Sequence, residues 1–298
     1  MSYASEMGID HAGAPPARRS LRPRNPIAIL GEIMVGVTAM LLPELVMLGA
    51  IATGHGPSLD ELMGGAPAAF PLVTAYVLVR QGVFFFGALA VAALASRGRG
   101  AGRAELGFRS APWLAVIAGA CGIIGLGPTS DLLIRLLREA APSLELGVLH
   151  ELDQLASGRP FYVIWPLFAL VPGLCEETYF RGLVQHVLGR GALAIVLSGA
   201  IFAALHIDPI QAIGVLPVGL YLAWLGDRTR SLWVPIAAHA ANNTVAVLAT
   251  RVVPEVDKAG AGAPTPPVVI VGFLLSTFAF AYIVHRAMRR AERERVAR

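Results

Sequence analysis

Apolar runs broken by Gly, Pro and charged residues recur along the chain at about 27–53, 68–95, 111–127, 160–188, 191–207, 210–226, 231–250 and 267–285. Most approach the ~20 residues a helix needs to cross ~30 Å of hydrocarbon. The pattern therefore predicts an all-α, polytopic membrane protein of about eight transmembrane helices. The run at 111–127 is the shortest. It passes through Gly127-Pro128 into the amphipathic stretch Asp131–Leu137, which is expected near the membrane interface. No solenoid period and no inverted repeat relates the halves, so residues 27–285 read as one transmembrane domain. Connections at 54–67 and 96–110 are long and rich in Gly and Pro, whereas from Phe161 onward the links shrink to a few residues. The later helices should pack compactly, helped by Gly214, Gly219 and the run Ser198-Gly199-Ala200 with Ala203-Ala204.

Composition agrees: 55% of the 298 residues are apolar and only 15% are charged, too greasy for a soluble domain of this length. Charge placement sets an orientation, because Lys and Arg in short loops favour the cytoplasmic side. Seventeen of the 24 basic residues fall on one side: Arg18, Arg19, Arg22, Arg24, Arg97, Arg99, Arg103, Arg109, Arg190, Arg228, Arg230 and the six arginines from Arg286 to Arg298. Both termini are therefore predicted to be cytoplasmic, with disordered or basic tails at 1–26 and 286–298, in a bacterial inner or plasma membrane. The first apolar run is too long for a cleaved signal peptide and should persist as an anchor. The sequence pI near 9.4 follows from this topology, and without an aromatic-interleaved basic patch no nucleic-acid partner is implied. Cys121 and Cys175 both sit in apolar runs, where a thiol usually behaves as a small hydrophobe.

Three polar islands interrupt the later runs: Glu176-Glu177-Thr178-Tyr179-Phe180-Arg181, then Phe202-Ala203-Ala204-Leu205-His206, then His239-Ala240-Ala241-Asn242-Asn243. Polar groups in hydrocarbon are costly and mark function by default. Glu177 and Arg181, four apart with the acid first, suit an ion pair on one helix face. Glu176 points about 100° away, without an intrahelical cation, and is free to act as a base once water reaches it. A buried packing network of both acids with Arg181 is the alternative. His206 ends its run just before Asp208-Pro209, where a capping or interfacial role competes with a catalytic one. His239 and Asn243, at i and i+4, can donate hydrogen bonds to one point, as a developing oxyanion requires. Asn242 lies off that stripe.

These islands resemble the pattern Glu-Glu-x-x-x-Arg, Phe-x-x-x-His, His-x-x-x-Asn of the CAAX-prenyl-protease and bacteriocin-processing (CPBP, or Abi) intramembrane proteases. All three elements occur in order, with 30 residues from Glu176 to His206 and 33 from there to His239. The resemblance covers about 160–250, including Arg181-Gly182 and the stretch Trp224–His239. It implies an intramembrane endopeptidase in which Glu176 activates water with help from His206. His239 and Asn243 would stabilise the tetrahedral intermediate, and Glu177 and Arg181 would hold the catalytic helix. It also implies a membrane-associated or lipidated protein or peptide as substrate, and no cofactor. An older view of the family would place zinc on Glu176, His206 and His239, although no His-Glu-x-x-His helix is present.

A proton-coupled transporter using the same Glu and His residues, and a scaffold that keeps the cluster for packing, are the rival classes. Arg80 and Glu44, in the second and first runs, are expected to form a mutual ion pair, with capture of a substrate carboxylate by Arg80 as the alternative. His186 is expected to be interfacial. Trp113, Trp165 and Trp233 read as an aromatic belt.

Overall fold

The computed structural model describes residues 26–55, 58, 69–95, 106–144, 159–206, 208–252 and 265–297. The N-terminal tail and most of the two Gly- and Pro-rich connections lie outside these residues. All regular structure within them is helical. The helices are α1 (Pro26–Ala52), α2 (Phe70–Ala95), α3 (Trp113–Ile124), α4 (Gly127–Ala140), α5 (Phe161–Trp165), α6 (Val171–Glu177), α7 (Gln185–Leu188), α8 (Ala192–Ala204), α9 (Pro209–Thr229), α10 (Trp233–Val252) and α11 (Pro267–Val296).

Every apolar run holds helix, as the pattern predicts. Among the described residues, five helices are long and apolar enough to cross a membrane by length and composition: Ala28–Ala52, Phe70–Ala95, Trp113–Ala140, Pro209–Thr229 and Pro267–Val296. Three others differ for local reasons. α8 has only 13 residues, and α10 carries His239, Asn242 and Asn243 in its middle. The 161–188 segment is broken by π-helical turns at Pro166–Leu170 and Thr178–Val184, where Val171 N donates to Pro166 O and Gln185 N to Phe180 O. Pro166 and Pro172 supply no N–H and crowd the preceding turn, which disfavours a regular ladder there. Such π turns are rare and cluster at functional sites.

The amphipathic α4 follows α3 after a notch at Gly125-Leu126 and packs along α9. A Cβ on Gly214 would lie 2.8 Å from Ile134 Cδ1. The small residues expected to bring helices together do so where α8 crosses α9: a Cβ on Gly219 would sit 2.9 Å from Gly199 O, and one on Gly199 3.0 Å from Leu220 N. Asp208 caps α9 by accepting from Ile210 N at 2.8 Å and Gln211 N at 3.1 Å, with Pro209 at the first helical position. The α9–α10 turn is short because Arg230 takes a left-handed φ of 55°; Leu232 N then donates to Gly107 O at 2.9 Å.

Beside a small apolar cluster around Ile164 and Val247, two large ones result. One joins α1 and α2 to the 171–188 segment and Phe202; the other joins α3, α9, α10 and α11. α11 runs unbroken to Val296, so the basic residues from Arg286 continue its helix.

Candidate functional site

The first polar island sits in α6, between the two π turns. Gly173 brings this helix against α10, since a Cβ there would lie 3.1 Å from Ala240 N and 3.3 Å from Ile236 O. Glu177 is fully buried, and its Oε2 pairs with Arg181 Nε at 3.1 Å, as the spacing predicts. Arg181 also donates to Gly219 O at 3.0 Å and lies 4.8 Å from the centre of the Phe202 ring. One turn on, Gln185 donates to Ala223 O at 2.8 Å. These bonds fasten the island to the backbone of α9. Sequence spacing did not disclose the second partner of Glu177: its Oε1 meets His239 Nδ1 at 2.8 Å. The acid thus joins the Arg181 cation to the α10 imidazole. It also leaves His239 Nε2 as the ring atom that faces the rest of the cluster.

Glu176 points the other way. Its Oε1 accepts from Gln81 Nε2 at 2.7 Å, and its Oε2 lies 4.0 Å from His239 Nε2. Gln81, on α2, is buried and was missed by sequence reasoning. The available signal was a carboxamide next to Arg80 inside an otherwise apolar run.

His206 lies just past the end of α8. Its Nδ1 bonds Phe202 O at 2.9 Å, which assigns the ring proton to Nδ1 and frees Nε2. Phe202 stands between the imidazoles, with ring centres 5.0 Å from His206 and 5.7 Å from His239. The charge of Glu176 acts on both imidazoles. Asn243, one turn beyond His239, donates from Nδ2 to Phe168 O at 3.1 Å. Pro172 has no N–H to offer that carbonyl one turn later. Asn242 is no bystander, for its Nδ2 donates to Asn243 Oδ1 at 3.2 Å and so fixes the orientation of that amide. Glu176, His206 and His239, together with Glu177 and Arg181, therefore converge from three stretches of chain onto one polar centre, and Asn243 lies one turn beyond His239 on α10 with its amide on Phe168 O.

One expectation changes and one is extended. Arg80 does not pair with Glu44: Arg80 Nη2 donates to Leu205 O at 3.0 Å, and Glu44 accepts from Tyr76 at 2.9 Å. The guanidinium is drawn to the carbonyl-rich end of α8, whereas the Tyr76 hydroxyl already satisfies the acid. Trp165 does more than line a belt, for its Nε1 donates to Thr244 Oγ1 at 2.8 Å and ties α5 to α10. Trp113 and Trp233 are exposed. His186 is half-buried in α7, away from the converging groups.

Among the described residues, no three His, Cys, Asp or Glu side chains are grouped as ligands of one metal ion. Zinc would take Glu176 Oε2, His206 Nε2 and His239 Nε2, the atoms that the contacts above leave uncommitted.

Comparison with known proteins returns one family. Residues 158–245 match the model of the type II CAAX prenyl endopeptidase Rce1-like family. No curated protein and no solved structure matches the chain. The matched stretch contains all three polar islands and the helices that carry them, while α1, α2 and α11 lie outside it. Residues 158–245 are thus similar to an Rce1-like CAAX prenyl endopeptidase domain, and with the long apolar helices around them this supports an intramembrane endopeptidase acting on membrane-associated substrates in general.

Proposed function

We propose that the protein hydrolyses a peptide bond within or beside the bilayer by a metal-free glutamate mechanism. The observation that carries this reading is the division of labour between two neighbouring acids. Glu177 is consumed by Arg181 and His239, whereas Glu176 keeps Oε2 free beside His239 Nε2.

A water held between Glu176 Oε2 and His206 Nε2 loses a proton to the carboxylate as its oxygen attacks the scissile carbonyl carbon. The oxyanion that forms accepts hydrogen bonds from Asn243 Nδ2 and from His239 Nε2 in its imidazolium form. Glu176 then returns the proton to the departing amine nitrogen as the C–N bond breaks. Glu177 holds the His239 ring in orientation through Nδ1, and Arg181 locks Glu177 in place. General base catalysis of this kind supplies about 10²–10⁴-fold. Since an intact helix hides its carbonyls in backbone hydrogen bonds, the substrate must be extended at the cleavage point, near a membrane-embedded or lipidated end. Prenylated CAAX proteins, bacteriocin leaders, sorting-signal tails and membrane-bound regulatory factors all present such ends. The excess of arginine in the loops on one side and along the end of α11 supports a cytoplasmic location for both termini.

Glu176→Gln keeps the shape of the side chain and removes the base. With an internally quenched prenylated CAAX peptide as probe, this variant should lose at least about 10²-fold in cleavage while unfolding at the same temperature as the parent. Undiminished cleavage would end the proposal, as would proton-coupled flux in place of hydrolysis. The same assay after exhaustive chelation should keep its rate; activity that vanished and returned only with added zinc would replace the glutamate mechanism with a metal-dependent one.

A further inference from the structure

The α2 helix lies outside the matched 158–245 stretch, yet it reaches the site with two consecutive side chains. Arg80 grips Leu205 O, the carbonyl immediately before His206, and Gln81 grips Glu176 Oε1. Gln81 is only 4% exposed, and its own Oε1 finds no partner. A buried polar atom left unpaired calls for a reason, because an apolar side chain of similar length would fill the same space without one.

The carboxamide chemistry supplies the reason. Gln is the neutral side chain that offers N–H donors and a carbonyl acceptor from one rotatable end group. Toward an ionised Glu176 the amide must present its N–H, and that is the contact seen at 2.7 Å. Toward a protonated Glu176 the proton sits on Oε2, where the water delivers it, so Oε1 remains a carbonyl acceptor for the same Gln81 N–H. The orphaned Oε1 of Gln81 accompanies a neutral N–H donor that holds Glu176 Oε1 whether the acid is ionised or protonated.

We infer that Gln81 is a positioning residue that serves Glu176 in both of its protonation states during peptide hydrolysis. The inference rests on Glu176 being the base. The proton that leaves water travels to Glu176 and then to the leaving amine; Gln81 neither gains nor loses one. By holding Oε1, Gln81 turns Oε2 toward the attacking water and toward His239 Nε2. Arg80 fixes the His206 end of the same water site from the adjacent position on α2.

The experiment uses the full chain in detergent or proteoliposomes, with the prenylated CAAX peptide as probe. Gln81→Met matches the side chain in length and removes both the orphaned oxygen and the N–H on Glu176, two losses that oppose each other in stability, so kcat is read beside thermal unfolding. Its kcat should fall by about 10–100-fold, the range for residues that orient a reacting group, with KM within about twofold. The solvent deuterium effect on kcat should rise as proton transfer becomes slower, which loss of a merely structural contact would not cause. Gln81→Glu keeps the shape but serves only one protonation state at a time, and its kcat should fall as well. An unchanged kcat in either variant, or a rise in KM alone, would overturn the inference. Glu176→Gln separates the two levels: if it cleaves normally, the glutamate mechanism itself fails, whereas a dead Glu176→Gln beside a fully active Gln81→Met removes the positioning role alone.

Discussion

α10 and α11 are both helices of 20 or more residues that start apolar, yet they use their side chains in opposite ways. α11 turns Val268, Val271, Leu275, Phe278 and Tyr282 outward, and only 11% of its most apolar window is buried. α10 turns its polar residues inward: His239 is buried, and Asn243 and Thr244 bond α5 and the neighbouring π turn. Hydrocarbon accepts apolar groups from α11 at little cost, but it cannot satisfy an imidazole or a carboxamide. Those groups are stable only where other helices complete their hydrogen bonds. The difference teaches that the helix least suited to lipid is the one whose position the rest of the molecule fixes.

That contrast breaks most severely at Arg181. Replacing it by Met leaves Glu177 buried against His239 without its cation. A loss of about 3–5 kcal/mol is expected, visible as a large drop in thermal unfolding temperature together with loss of cleavage. A variant that unfolded like the parent would show that the buried pair carries no structural weight. Asn243→Ala tests the inward face of α10 for chemistry. It should lower kcat by about 10²–10³-fold with a smaller stability change, read by steady-state cleavage beside unfolding. The effect should be least on the outward face of α11. Phe278→Leu, at an exposed site, should change stability by less than about 0.5 kcal/mol and leave cleavage untouched. A larger loss there would mean that a partner protein or a second copy covers that face.

Much of the site could be read before any coordinates, because its parts obey local rules. Glu177 and Arg181, and His239 and Asn243, are each four residues apart, so helix geometry alone puts each pair on one face. The ends of the apolar runs located the helices closely, since twenty apolar residues leave few other choices. The number of long crossings was less readable. The π turns of 161–188 depend on how Pro166, Pro172 and Gly173 meet α10, and periodicity carries no trace of that meeting.

The chain alone thus specified an all-helical membrane protein, because spacing within a helix and burial in hydrocarbon follow from local sequence, and it named positions 176, 206, 239 and 243 as candidates through helix spacing and a family resemblance. Tertiary packing decided that Glu177 also holds His239, that Arg80 turns from Glu44 to Leu205, and that Gln81 reaches Glu176 from 95 residues away. Those choices belong to the folded arrangement because a hydrogen bond between distant residues exists only after helices have docked, and each acid or amide had several chemically equivalent partners until then.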